Sequence, residues 1–515
     1  MRYNDDDSSA EYIGNSTKNR NGQVFFVLHQ IEFKRKASCN NYKNKRLMLA
    51  EMRFGSLPLT TERGDIYPRL LEKGSFQEAC NQGVYYFTPD QGSAACARLV
   101  GRFNPYSTYD LALNSFPQGA KAGFAILWED RKLFVYARCQ GDRAEFFYHL
   151  DGENAAIGTA AYTPGMHFLF TFHAGIYVET YVEFEGCIQH VGNARIDRCR
   201  CLKEERIFSS ADAAMYLEAK EEISVSSAVN YLDCGIMQAD IKPVKYEDGS
   251  VLIENGKIYL SYTSRFEEEM MQQIASYKLS TCEFQLEGAL LFDAGDDQWC
   301  GDVASSLIYD RMAHKWRIWM CAFSHEHVPA YGETAQDPRF GINVVDVKPL
   351  PLVQDVYAFG GKKGDEDPDL YFDETEKWWY LSICRLDPET NKYRYYLFRS
   401  REAEKDYVFY ACTHESLEVT GGSFVRYGGN IYFVFGRSFS ETSKYDCYSF
   451  PEFKKLGELK CNHPDGGFRG WGSVMEIPCG TRKRLLWVTF DRTRGSQYNW
   501  SYGNLYFFES ATIKE

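Results

Sequence analysis

The chain has no run of 18 apolar residues, so nothing in it reads as a transmembrane helix. It also lacks an excess of positive charge. Lys and Arg number 58 against 71 Asp and Glu, a net charge of −13. That balance argues against a broad nucleic-acid surface, which needs basic side chains to displace counterions. It leaves room for a local basic pocket. There is no glycine-rich phosphate loop in a strand–helix context and no Gly-x-Ser-x-Gly, so neither nucleotide binding nor a serine-hydrolase elbow is indicated. The first residues are polar and acidic (Asn4, Asp5, Asp6, Asp7), without the apolar stretch of a secretory signal. The 16 cysteines are scattered singly. Cys199 and Cys201 form the one close pair, too little for a zinc site. Cys321 and Cys384 fall inside strand-like runs and read as small buried hydrophobes. We therefore expect a reduced, cytoplasmic chain.

What the chain has in plenty is aromatic surface: 36 Tyr, 36 Phe and 9 Trp, or 16% of residues. Aromatics favour strands and sugar-facing surfaces. With 515 residues the chain exceeds one ordinary core, so two domains are the starting expectation. Residues 1–80 are polar and irregular, and read as a disordered or loosely docked lead-in with one or two strands. From residue 81 to 224 the sequence breaks into short aromatic-rich runs separated by Gly, Pro, Asn and Asp, such as 122–129, 132–137, 167–172 and 177–184. Runs of that length and spacing predict a β-sandwich. Residues 178–188 resemble the concanavalin-like jelly roll of carbohydrate-binding modules.

Residues 225–515 repeat. Five hairpins share a small or acidic start, an apolar run, a polar turn, an aromatic strand and a basic end. They begin at Asp248, Asp302, Asp367, Thr420 and Trp471 and end at Arg265, His325, Arg385, Arg437 and Arg492. Their starts are spaced roughly 50–65 residues apart, room for one hairpin plus two outer strands, which is one propeller blade. The competing reading is a plain sandwich with coincidental hairpins. Five agreements in order favour the propeller. The fold class expected is therefore all-β: a sandwich followed by a five-bladed β-propeller.

The repeats resemble the five-bladed propeller glycoside hydrolases of family 43 and its relatives, such as families 32, 68 and 117. Glu366-Asp-Pro-Asp-Leu-Tyr-Phe-Asp, followed by Trp378-Trp-Tyr-Leu, is similar to the family's third-blade signature. Asp248-Gly-Ser-Val-Leu, followed by Asn255-Gly-Lys-Ile-Tyr-Leu, is similar to its first, with Gly249 where the family usually has Pro. The resemblance implies a general base on blade one, an Asp on blade three that tunes and orients the acid, and a Glu before Gly-Pro as the acid on blade four. By position the base is Asp248, and the third-blade carboxylate is Asp367. Asp240, in Gln238-Ala-Asp-Ile-Lys-Pro, is the rival base. The acid's place is taken by Thr420, ahead of Gly421 and Gly422. A threonine hydroxyl cannot protonate a leaving sugar at neutral pH. Glu418 and, further off, Glu415 are the nearest carboxyls, and His325 and His327 are other candidates. Some relatives hold a calcium ion on the central axis, so a structural calcium stays open there; no other cofactor is expected.

The hairpin pattern itself places basic residues beside the aspartates, because the end of a hairpin's second strand lies next to the start of its first. Asp302, Arg265, His325, Arg385, Arg437 and Arg492 are thus expected to ring one face. Arg donates in a planar fork that suits carboxylate or sulfate, which suggests an anionic sugar. The alternative is that each Arg pairs internally, Arg385 with Asp367 and Arg265 with Asp248. Trp471, Trp299 and Trp500 are candidates for stacking on a sugar, Trp471 the best placed. His325 and His327 sit at chelate spacing, but no third ligand is evident, so no metal site is assigned. The expected function is hydrolysis of an oligosaccharide or polysaccharide glycosidic bond, by inversion, with neither nucleic acid nor membrane as partner. The alternatives are a lyase on uronate-containing chains and a non-catalytic carbohydrate-binding propeller.

Overall fold

The computed structural model describes residues 16–18, 24–26, 28, 31–40, 46–52, 74–233, 235, 237–266, 269–325, 327–350, 352, 365–387, 390–414, 419–437, 444–461, 471–490 and 504–511. The chain is all-β and divides into two compact units. One comprises Met1–Tyr42, Cys234–Gly295 and Gly301–Glu515, the other Lys43–Asp233 and Asp296–Cys300.

The second unit is a β-sandwich. Its two sheets, one of six strands and one of eight, are antiparallel throughout. Along Lys121–Trp128, Phe124, Ile126 and Trp128 enter the shared core. They meet Phe168, Phe170 and Phe172 of Met166–His173 in the other sheet. This period of two is what a half-buried pleated strand requires. Trp299 belongs to this unit. Its ring packs edge-on against Phe208 at 4.1 Å, and its carbonyl accepts from Tyr106 Oη.

The first unit is a wheel of five four-stranded blades. Blade one runs Met237–Pro243, Lys257–Arg265, Met270–Lys278 and Glu283–Asp293, from the innermost strand outward. Blade two runs Val303–Asp310, Lys315–Ala322, Val328–Thr334 and Gly341–Pro349. Blade three begins at Glu366–Asp373 and blade four at Val419–Tyr427. Blade five begins at Ser473–Cys479, continues through Arg482–Phe490 and Asn504–Ser510, and takes its outermost strand from the other end of the chain, Glu32–Asn40.

Three expectations are corrected here. The segment 32–40 is a nine-residue blade strand, not a loosely docked lead-in. Its Lys34, Arg35 and Lys36, all exposed, hid it, because charged residues such as Lys are depleted in strands. Blade one's innermost strand is also not the one at Asp248. It lies upstream, at Met237–Pro243, and residues 245–254 contribute only two-residue strands, Lys245–Tyr246 and Ile253–Glu254. The sandwich unit accordingly runs on through the long strand Ile223–Asp233, past the expected boundary at 224.

Candidate functional site

The innermost strands of blades one to four share an irregularity. The register with the second strand slips between Ala239 and Lys242, between Val303 and Ser306, between Glu366 and Asp369, and between Thr420 and Ser423. Each slip leaves two residues unpaired, and the first of them has left-handed backbone: Asp240 (φ 51°), Ala304 (φ 60°), Asp367 (φ 53°) and Gly421 (φ 72°). A bulge re-aims the side chain it carries. Asp tolerates the left-handed region better than most residues, and glycine enters it freely. Two of the four equivalent positions therefore present a carboxylate, and they do so from blades one and three.

Both carboxylates are buried, Asp240 at 8% exposure and Asp367 at 3%. Thr263 Oγ1 donates to Asp240 Oδ2 at 2.7 Å, and the Gly421 backbone N–H donates to Asp367 Oδ2 at 2.7 Å. Burial pushes the Asp367 carboxyl up, and the negative charge of Asp240 pushes it further, to about 8; Lys242 and the Gly421 N–H act in the opposite sense. Burial and the neighbouring carboxylate thus both favour the protonated form of Asp367. A buried carboxyl paired with a second carboxylate is the arrangement that separates an acid from a base.

Below this pair the wheel's axis is packed with polar groups. Lys245 Nζ lies 2.7 Å from both oxygens of Asp369, which also accepts from Ser306 Oγ at 2.6 Å and from the Phe424 N–H at 2.7 Å. One carboxylate so ties Lys245, just past blade one's innermost strand, to blades two, three and four. Ser473 Oγ of blade five donates to the Ile241 carbonyl at 2.6 Å, and the Ile241 N–H donates to the Trp471 carbonyl at 2.7 Å. Lys242, 1% exposed, donates to the carbonyls of Pro368 at 2.9 Å and Ala304 at 3.3 Å. Calcium takes six to eight oxygen donors. Two ammonium groups among the axial residues, with Asp369 already committed, do not fit such an ion.

The sequence candidates fall into groups. Asp240 and Asp367 come together. Asp248 does not join them. It lies by Tyr371 and Phe372, toward the far end of Glu366–Asp373: a Cβ on Gly249 would stand 3.3 Å from the Tyr371 ring, and the Phe372 N–H donates to the Glu247 carbonyl. Asp248 accepts from the Ser250 N–H at 2.9 Å and is ion-paired with Arg426 and, at 3.2 Å, with Arg311. Burial opposes its ionisation, but Ser250 and the two guanidinium groups overcome that and hold it below the usual carboxylate range. It is a turn residue in an ion-pair network. A cavity of about 380 Å³ opens beside it, between Ser250, Phe424, Arg426, Met475 and Lys483, away from the carboxylate pair.

Asp302 stands two residues before the bulge of blade two and accepts from the Ser324 N–H at 2.8 Å and from Ser324 Oγ. His325 Nδ1 lies 2.8 Å from the same hydroxyl. Arg385 pairs with Asp365, Nη2 to Oδ2 2.7 Å, and not with Asp367. The side chains of Arg265 and Arg437 lie outside the described residues, as do Arg492, Glu418, Glu415 and Trp500 altogether. Trp471 is 5% exposed, and its indole N–H donates to Thr420 Oγ1. It is a core residue that occupies the hydroxyl standing in the acid's place. Trp299 lies in the sandwich unit.

Sequence reasoning missed Lys242, Thr263 and Gln238. Gln238 is fully buried, and among the described residues neither atom of its side-chain amide has a partner. The signal was present: in Gln238-Ala-Asp-Ile-Lys the polar residues alternate with Ala239 and Ile241, which enter the core. Such alternation places the polar set on the axis side.

No family model matches the chain, and no curated protein matches it. Solved structures that it resembles include a thermostable family-43 glycoside hydrolase, at 14% identity and a TM-score of 0.35, covering 54% of this chain and 90% of that one. A second is the catalytic domain of a family-62 α-L-arabinofuranosidase from Coprinopsis cinerea, at 10% identity and a TM-score of 0.37, covering 54% and 93%. A third is a family-117 glycoside hydrolase from the marine bacterium Zobellia galactanivorans, at 9% identity and a TM-score of 0.38, covering 55% and 88%. The five-bladed wheel itself rests on the strand pairing described above.

Proposed function

We propose that the propeller hydrolyses a glycosidic bond, by inversion, with Asp240 as the base and Asp367 as its protonated partner. The observation that carries this reading is the pair itself: two buried carboxyls at equivalent bulges of blades one and three, one of which is pushed toward its protonated form by burial and by the other's charge. Inversion needs an ionised carboxylate to take a proton from water as its oxygen attacks the anomeric carbon. Asp240, held by the Thr263 hydroxyl, is suited to that task. The departing sugar oxygen needs a proton in the same step. Asp367 carries one, and Thr420 is excluded as its source by its chemistry. Arg385 is already neutralised by Asp365, so an anionic sugar is not part of this reading.

A second reading is favoured by one observation. The acid's position holds a hydroxyl that is taken up by the Trp471 indole, as in a propeller that binds carbohydrate without cleaving it. Product analysis on a panel of oligosaccharides separates the two. Hydrolysis adds water and yields a new reducing end; a binder returns the chain intact; an unsaturated product absorbing in the near ultraviolet would instead signal a lyase. Intact oligosaccharide throughout, with binding demonstrated, would replace the hydrolase reading by the second.

A further inference from the structure

Blade three carries a second cluster, at the end of the wheel away from the carboxyl pair. Asp367 stands near the start of Glu366–Asp373, whereas Trp378 pairs with Asp373 at its end. Six residues of strand, about 20 Å, separate the two places. Along Trp378–Asp387 the side chains alternate: Trp379 enters one core cluster, and Trp378 and Tyr380 take the opposite face. Arg399 of Lys392–Ser400 is the cross-strand partner of Tyr380, and Arg401 follows two residues later. Tyr410 of Val408–Cys412 is left unpaired where the register with Lys392–Ser400 slips, and it is 37% exposed. A bulge re-aims the side chain it carries. These four side chains form an alternating chain of cations and rings. The Arg401 guanidinium lies over Trp378, 3.6 Å from the ring centre. That of Arg399 lies over Trp378 at 4.6 Å and over Tyr410 at 4.5 Å. Arg401 also donates to the carbonyl of Lys377 at 2.9 Å and to that of Glu376.

Neither guanidinium is neutralised. Among the described residues no carboxylate lies within ion-pair distance of Arg399 or Arg401. Those of the neighbouring turns are engaged elsewhere: Asp373 accepts from the Thr375 and Glu376 N–H groups, and Glu374 lies 3.9 Å from Arg311. Glu402 pairs with Lys405, and Glu404 lies 3.8 Å from Arg317. In a chain with 71 acidic residues against 58 basic ones, two unmatched guanidinium groups on one indole call for an anion from outside. Stacking uses the face of a guanidinium and leaves N–H groups in its plane to hold a carboxylate or sulfate in a fork. Trp378 and Tyr410 add amphipathic rings on which a sugar can pack. We propose that this face of blade three is a second carbohydrate site, which holds a polysaccharide bearing carboxylate or sulfate groups. The mouth offers no such fork at Arg385, which Asp365 already occupies. The net charge of −13 disfavours nucleic acid as the anion. The carbohydrate reading of the wheel supplies the class of ligand; which carboxyls cleave does not enter.

The test is affinity electrophoresis of the full chain through gels holding polygalacturonate, dextran sulfate, neutral dextran or single-stranded poly(U). The wild type should be retarded by polygalacturonate or dextran sulfate and run freely in dextran. Which of the two anionic polymers retards it more tells carboxylate from sulfate. Arg399→Gln and Arg401→Gln should each weaken the retention by ~10-fold in Kd, about the effect of losing one hydrogen bond to a charged group. Wild-type mobility unchanged by both anionic polymers overturns the proposal, and so does full retention of the glutamine variants. Tighter retention by poly(U) would overturn it in favour of a nucleic-acid surface. If the glutamine variants do not fold, the double variant Arg399→Lys with Arg401→Lys decides, because it keeps the charge and loses the planar fork. Weakened retention supports the proposal, and undiminished retention overturns it. Binding is read without turnover. Oligosaccharide hydrolysis without retention would remove this site alone, and retention without hydrolysis would count against the hydrolase reading alone.

Discussion

Asp240 and Asp367 occupy the same place in two blades: each is the first unpaired residue of its strand's bulge, each has left-handed backbone, and the charge of one raises the proton affinity of the other. The repeat thus builds a carboxyl pair from stretches of chain more than a hundred residues apart.

Asp367→Asn should lower turnover by about 100- to 10,000-fold while leaving oligosaccharide binding in place, the range expected when a positioned acid–base group is lost. Product analysis paired with binding calorimetry reads both. Full activity in this variant would remove Asp367 from the mechanism.

The same carboxyl should leave a mark on stability. Its proton affinity is raised in the folded state, from the ordinary 3.8 to about 8. Between those values the folded chain holds a proton that the unfolded chain has released, so stability falls as pH rises across the window and levels off above it. Denaturant melts at several pH values should show that slope in the wild type and lack it in Asp367→Asn. Identical slopes would place the carboxyl's titration elsewhere.

Asp248 gives the opposite sign. Its carboxylate is favoured in the folded state, so its contribution is present at neutral pH and is lost as pH falls through its lowered titration. Asp248→Asn should melt earlier than wild type near neutrality, converge with it in acid, and leave turnover unchanged. A large loss of turnover would return Asp248 to the chemistry.

Asp369→Leu should destabilise the propeller by about 3–5 kcal/mol, because the Lys245 ammonium would remain buried without its partner. The double variant Asp369→Leu with Lys245→Met should recover much of that loss in chemical denaturation. No recovery would mean that Asp369 acts mainly through Ser306 and the Phe424 N–H.

The wheel was legible in the sequence because hairpins are local: Glu366–Asp373 and Trp378–Asp387 are joined by a short acidic turn and carry alternating aromatic residues. The first strand of blade one was misplaced for a physical reason. Asp248-Gly-Ser and Asn255-Gly are strong turn signals on either side of a short apolar run, and they mimic a hairpin. The true first strand, Met237–Pro243, is half polar because it faces other charges across the axis, and no local pattern announces partners 60 to 130 residues away, such as the Ala304 and Pro368 carbonyls that Lys242 reaches. Of the expected ring of basic side chains, only Arg385 and His325 fall within the described residues. Strand ends do lie side by side, as Met237 and Arg265 show, but Arg385 found Asp365 just outside the predicted hairpin.

The blade strand Glu32–Asn40 has a temporal consequence. It pairs with Asn504–Ser510, so one side of the seam leaves the ribosome long before its mate. Residues of the sandwich unit are translated in the interval between the two. The seam cannot be sewn until the sandwich unit and Asn504–Ser510 have been made, and until then the early segment must wait without that neighbour.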